Sequence, residues 1–279
     1  ANGFIGSTLI KKLIENEINV VAVDISFNPP RTPESELITK IESKVDVTTA
    51  EKIPAGKYDA LYHFAWRGVN GAEKADPSVQ LANIQMAVDC ANICKKVNCC
   101  KLLCSGTVAE NATFSLSKLE KTSDGMMYGV AKHACRLIVE NYCKNIGMPF
   151  VWMQFSNIYG VGNKTGNLVS YTLGELLAGK EAIFGPALQP YDFIYVEDLI
   201  EAVYLLGVKE TKKAFYYIGS GSPRILKEYL LRIGELAGYA DKVGIGIRPD
   251  DGIKYNMEMF DNKDLVEVIG KYVRTSFDE

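Results

Sequence analysis

Tyr128-Gly129-Val130-Ala131-Lys132 places a phenol and an ammonium four residues apart. On a helix that spacing puts both on one face, where the cation lowers the phenol's pKa and makes it a usable general base near neutrality. An exposed Tyr–Lys pair with no chemistry has the same spacing. What singles this one out is Ser105-Gly106-Thr107, just after the apolar run KLLC. A hydroxyl at the end of a buried strand can enter the crevice that a neighbouring helix lines.

A second group stands at the N-terminus. In ANGFIGSTLI, Gly3 and Gly6 introduce Ile5, Leu9, Ile10, Leu13 and Ile14, which share one face at helical spacing. A glycine turn entering a helix offers free N–H groups and the positive end of the helix dipole to an anion, most often a dinucleotide pyrophosphate. The complete fingerprint needs a buried strand and another glycine, and both would precede Ala1. Alone, the pair also fits a plain tight turn. NVVAVD then ends in Asp24, 18 positions beyond Gly6. A carboxylate there accepts adenosine ribose hydroxyls and repels a 2′-phosphate, so the combination favours NAD over NADP.

These side chains need a sheet to hold them. Apolar runs NVVAVD, KVDV, DALYHFA, KLLCSG and PFVWMQFSN alternate with helical patterns over about residues 77–97 and 128–145. Strands apolar on both sides and separated by helices predict a doubly wound α/β fold, a parallel Rossmann-like sheet covered on both faces. Beyond Asn157 the texture is less regular. Helices are expected near 170–178, 197–207 and 225–237, a strand in AFYYIGSG, and a smaller C-terminal substrate lobe. The division predicted is 1–157 with about 193–220 for the dinucleotide domain, and about 158–192 with 221–279 for the lobe. FNPPRTPESE, Phe27 to Glu36, reads as a mobile loop because its three prolines interrupt both helix and central strand.

With 279 residues, 47% of them hydrophobic, the chain can bury a large core. A net charge of −3 without basic runs argues against nucleic acid or an anionic membrane as partner. No apolar stretch reaches the ~20 residues that span a bilayer, and a cytoplasmic location is expected. The seven cysteines are odd in number, lie between Cys90 and Cys143, and lack the spacings of zinc modules. They are expected to be buried thiols, with no metal.

The whole pattern resembles the extended short-chain dehydrogenases/reductases of the nucleotide-sugar epimerase/dehydratase family, over nearly all of the chain. ANGFIG resembles the end of the family's glycine motif, which implies Gly3, Phe4, Ile5 and Gly6 against the cofactor. The resemblance further implies Asp24 on the ribose, and Asp46 with Val47 near the adenine. Phe64 and Ala65 of HFA, Asn83, Ser105, Lys132 and Asn157 of SNIYG join them as NAD contacts. It makes Thr107, Tyr128 and Lys132 the catalytic set, and Trp66, Thr107, Asn157 and Arg248 of RPDD the substrate contacts. DFIYVED at Asp192 to Asp198 matches the late strand–helix signature. It also implies a nucleotide-sugar substrate and a homodimer formed through the helices at 77–97 and 128–145.

Departures from the family pattern narrow the reading. The family's 4,6-dehydratases carry Asp-Glu directly after the catalytic Thr; here Val108-Ala109 follow, and Glu110 comes one position late. Gln154 and Tyr191 stand where the family often has Arg. Trp66 and Arg67 are bulky, shaping the sugar pocket or simply packing. Arg224 is a surface charge or a phosphate contact, and His63 and His133 read as packing or surface residues. The favoured function is an NAD-dependent nucleotide-sugar epimerase; the alternatives are a nucleotide-sugar 4-ketoreductase and a non-catalytic NAD-binding protein. Because the sheet would otherwise lack its first strand, the natural chain is expected to extend by about one strand and a glycine before Ala1, and SFDE to lie within a helix.

Overall fold

The computed structural model describes residues 1–118, 122–123, 125–163, 166–250 and 255–279. Asp251 of RPDD, and Lys164 and Thr165 in the segment after SNIYG, lie outside them.

The first half alternates strand and helix: α1 (Phe4–Glu15), β1 (Val20–Asp24), β2 (Ile38–Glu42), β3 (Leu61–His63), α2 (Pro77–Lys96), β4 (Leu102–Thr107), α3 (Met126–Ile146) and β5 (Phe150–Phe155). The second half adds β6 (Asn157–Tyr159), α4 (Leu168–Leu177), β7 (Ala182–Ile183), β8 (Pro190–Tyr191), β9 (Phe193–Tyr195) and α5 (Val196–Val208). It ends with β10 (Phe215–Ile218), β11 (Arg224–Ile225), α6 (Leu226–Ala237), β12 (Val243–Gly244) and α7 (Lys263–Ile269).

A four-stranded parallel sheet runs in the order β10-β5-β4-β3, and β1 and β2 form a separate parallel pair. Successive residues of a buried parallel strand point to opposite faces, and the core divides accordingly. Leu103, Val151, Met153 and Phe155 join Leu9 and Leu13 of α1, Leu199 and Val203 of α5 and Leu265 of α7. Leu102, Cys104, Phe150 and Trp152 join Ala87 and Cys94 of α2 and Cys135 and Val139 of α3. This is the doubly wound arrangement that the apolar runs require. A third cluster, built on Leu176, Phe184, Phe193, Tyr229 and Leu230, forms the core that packs α4 against α6.

Three expectations fail locally. KVDV is not a strand: Asp46 caps a 3-10 turn over Val47–Glu51, its carboxylate accepting the Thr48 N–H at 2.8 Å, and the strand that pairs with β1 is ITKIE. An Asp with threonines two and three residues on closes its own turn more readily than it continues a ladder. SFDE forms a turn rather than a helix. Segment 27–36 is irregular as foreseen, yet it is pinned, because Asn2 holds it by four side-chain hydrogen bonds, to Pro29, Arg31 and Thr32. All seven cysteines are free thiols, with only Cys100 exposed.

Candidate active site

β4 delivers Ser105 and Thr107 to one side of the strand, and the first turns of α3 bring Tyr128 and Lys132 to meet them. The approach is close: a Cβ on Gly129 would lie 2.4 Å from the Ala109 carbonyl oxygen, so only glycine lets α3 rest on the turn after β4. The Thr107 side chain faces the Tyr128 phenol and favours its ionised form. Lys132 is buried and donates to the Ser105 carbonyl at 2.7 Å, with Ser105 Oγ 3.4 Å away. Its Nζ also stands 3.9 Å from the centre of the Trp66 ring, a desolvated cation–π contact. Burial pulls the ammonium down to about 8.

The expected effect of that cation on Tyr128 is not what the geometry gives. Burial raises the phenol's pKa well above its ordinary value, with the Thr107 side chain opposing the rise and Glu110 adding to it. Lys132 spends its charge on the Ser105 carbonyl and the Trp66 face instead. In the chain alone, therefore, burial favours the protonated phenol, and a further positive charge nearby would favour its ionised form.

Glu110, Gln80 and Asn83 organise this corner from behind. Glu110 is buried; it accepts the Thr107 N–H at 2.6 Å and the Trp152 indole N–H at 3.1 and 3.2 Å. Burial raises its carboxyl to about 6, against those hydrogen bonds and the charge of Lys132. The adjacent Gly106 is required, since a Cβ there would overlap Trp152 and Glu110. Asn83 does not face the crevice as a lone contact: it accepts the Arg67 N–H at 2.9 Å and donates to the Arg67 carbonyl at 2.8 Å, fixing the loop after β3. Trp66 donates to Gln80 at 2.8 Å and presents its edge to Tyr128, ring centres 6.2 Å apart. Trp66 thus packs between Gln80, Lys132 and Tyr128.

The other end of the crevice is the glycine turn. A Cβ on Gly6 would lie 2.5 Å from the Ala1 carbonyl oxygen, whereas one on Gly3 would meet nothing within 4 Å. Gly6 serves the chain's own packing and Gly3 leaves the helix mouth open to a ligand's backbone-close approach. Asp24 is half-buried. Its carboxylate accepts the Asn2 N–H at 2.7 Å and the Ile25 N–H at 2.8 Å, hydrogen bonds that favour the ionised form. It is an ionised acceptor beside the turn, as ribose binding needs. Phe4 and Ile5 turn towards the core, as does Phe64, which stacks on Tyr62. Ala65 and Val47 are exposed, and Asn157 donates to the Asp192 carbonyl at 3.1 Å. An open glycine and a strand-end acid at one end of the crevice and a buried lysine at the other fit a dinucleotide.

Arg248 donates to the Tyr171 hydroxyl at 2.9 Å, in the lobe. Arg224 is tied to Asp278 by two hydrogen bonds of 3.1 and 2.6 Å, which settles it as an anchor for the tail. His63 is buried and held neutral, its pKa lowered to about 3 by burial and by Lys132, and its Nε2 has no partner among the described residues. His133 lies edge-on to Phe114. Sequence reasoning missed Asn2, Gln80 and Glu110 as organisers. A buried amide or carboxylate placed near a motif carries no periodic signal of its own.

Fold and site together define a dinucleotide-dependent α/β enzyme class. The chain belongs to the NAD dependent epimerase/dehydratase family, whose model matches residues 1–219, and NAD is its cofactor. It is 24% identical to the dTDP-4-dehydro-6-deoxyglucose reductase of Escherichia coli, over 86% of this chain and 83% of that protein. Among solved structures it superposes on the UDP-glucose 4-epimerase of Thermotoga maritima, crystallised with UDP-glucose, with a TM-score of 0.78 at 21% identity, covering 99% of this chain and 93% of the other. The Bordetella bronchiseptica enzyme WbmG, crystallised with NAD and UDP, gives 0.78 at 17% identity, covering 99% and 89%. Among the described residues no helix is long and apolar enough to cross a membrane, and no cluster of ligating side chains could hold a metal.

Proposed function

We propose that this chain is an NAD-dependent nucleotide-sugar epimerase. The observation that carries the reading is the position of Glu110. It lies under Thr107 and Trp152 rather than in the crevice, and Val108-Ala109 fill the two positions after Thr107. The site thus has the hydroxyl, phenol and ammonium of hydride-linked proton transfer and, at those positions, no acid to expel water.

In this reading the glycine turn and Asp24 hold the adenosine and pyrophosphate, and Lys132 holds the nicotinamide ribose. Bound NAD supplies the hydride acceptor and, once reduced, the donor. Tyr128 takes the proton from the sugar hydroxyl while Thr107 hydrogen-bonds the same oxygen. After the keto sugar has turned over, Tyr128 returns the proton and the opposite configuration results. Ser105, Asn157, Asp46, Val47, Phe64, Ala65 and Asn83 line or support the cofactor side, and Trp66 and Arg248 the substrate side. Leu81 on α2 and Leu137 and Ile138 on α3 are exposed apolar residues, which supports pairing of two copies through these helices.

A second reading is nucleotide-sugar 4-ketoreductase, favoured by the similarity to the Escherichia coli reductase along most of both chains. One experiment separates them. The purified protein is denatured and its released cofactor assayed, and native protein is incubated with UDP-, GDP-, CDP- and dTDP-sugars. Bound NAD with interconversion of one sugar pair and no net redox establishes the epimerase. Net NAD(P)H oxidation on a keto sugar establishes the reductase, and cofactor without turnover refutes both.

A further inference from the structure

The loop between β3 and α2, residues 64–76, is locked from below. Buried Gln80 donates to the Gly68 and Glu73 carbonyls at 3.0 and 3.1 Å and accepts from Trp66, Asn83 grips the Arg67 backbone, and Arg67 pairs with Glu73. This rigid loop carries Lys74. Its ammonium is half out of water, 5.6 Å from the centre of the Tyr128 ring, and 3.4 Å from where a Cβ on Gly125 would lie.

The other cations around the crevice have partners: Lys132 the Ser105 carbonyl, Arg67 Glu73, Arg248 the Tyr171 hydroxyl, Arg224 Asp278. Lys74, unlike these, has neither an ion pair nor a hydrogen bond among the described residues, and burial lowers its pKa. A half-desolvated charge is costly unless something of opposite sign meets it. A fixed ammonium with no counter-charge among the described residues, set against the ring of Tyr128, is complementary to an anion carried by the substrate.

We propose that Lys74 is a substrate-binding residue that pairs with an anionic group of the sugar nucleotide, either a carboxylate on the sugar, as in a nucleotide-linked uronic acid, or the diphosphate. The assignment rests on the nucleotide-sugar reading of the site. The carboxylate is a substituent of the sugar ring, and the diphosphate hangs from the same ring through the anomeric oxygen, so a sugar seated against Tyr128 brings either group within about a sugar's width of the lysine.

The test is calorimetric titration of the NAD-loaded protein, wild type, Lys74→Met and Lys74→Arg, with UDP, UDP-glucose and UDP-glucuronate, or the same trio on whichever nucleotide the wild type binds. Loss of a charge-assisted contact weakens binding by about tenfold or more, and arginine restores most of it. Weakening confined to the glucuronate identifies the sugar carboxylate; equal weakening of all three identifies the diphosphate. Unchanged affinity for every ligand in Lys74→Met overturns the proposal, as does a wild type that binds none of them. Nucleotide sugars bound through Lys74 but never interconverted or reduced would overturn the enzymatic reading and leave the lysine contact standing.

Discussion

The two ends of the crevice are built on opposite electrostatic principles. At the glycine turn, Asn2 makes five side-chain hydrogen bonds to segment 26–32, and Asp24 accepts the Asn2 and Ile25 N–H groups. Arg31 of the same segment then reaches the Gly162 carbonyl at 2.7 Å, joining it to the chain beyond β6. At the catalytic end, Lys132 has the Ser105 carbonyl and the Trp66 face, Lys74 has no ion pair or hydrogen bond and His63 Nε2 no partner among the described residues, and Glu110 is buried with its pKa raised. One end is satisfied before any ligand arrives, as suits a holder. The other keeps charge and donors in reserve, as suits a site whose polar groups must strengthen when substrate is present.

Substitutions at the two ends should therefore fail differently. The largest effect belongs to Tyr128→Phe, which removes the proton-transfer group and is expected to lower kcat by about 10²–10⁴ while leaving bound NAD unchanged. Turnover within a fewfold of wild type would end the assignment of Tyr128.

Lys132→Met should abolish turnover but not weaken the fold. The folded pKa is depressed to about 8 from 10.5, so this group's stabilising contribution is complete above the unfolded value and is lost as pH falls through about 8. The charged form costs at most about 3 kcal/mol at neutral pH. Part of that is offset by the Ser105 hydrogen bond and the Trp66 contact. Chemical denaturation of the variant at pH 7 should show stability equal to or above wild type, without the wild-type rise between pH 8 and 10.

Glu110 carries the opposite sign. Its folded pKa is raised to about 6 from 4.5, so its contribution is full below the unfolded value and disappears as pH rises through about 6, a change of about 2 kcal/mol. Denaturation of Glu110→Gln between pH 4.5 and 7 should lack this slope. Its kcat should also fall, because the amide cannot accept from both the Thr107 and Trp152 N–H groups with both of its atoms.

Asn2→Ala is the mildest and tests the holding end. It removes the anchor of segment 26–32, at a cost of about 1–2 kcal/mol, and should shorten the lifetime of bound NAD with kcat at saturating NAD near wild type. A large fall in kcat with NAD retention intact would erase the distinction between the two ends.

The alternation of strands and helices was legible in the sequence because each buried strand must be apolar on both sides. The helices expected at 77–97, 128–145 and 225–237 fall within two residues of those observed. The site motif was legible for the same local reason: Tyr128 and Lys132 lie one helical turn apart whatever surrounds them. What escaped was decided between elements. β2 escaped because ITKIE is half polar, and Asp46 was misplaced because its carboxylate closes a turn with Thr48.

By itself, then, the sequence determined the doubly wound fold, the glycine turn and the Thr–Tyr–Lys set, since periodicity and spacing are properties of the chain alone. Only the tertiary structure decided where the charges go. It turned Lys132 to the Ser105 carbonyl and the Trp66 face, put Glu110 beneath Thr107, and set Lys74 over the Tyr128 ring with no ion pair among the described residues. The physical reason is desolvation: what a buried charge does depends on which groups replace its water, and those come from segments far apart in the chain.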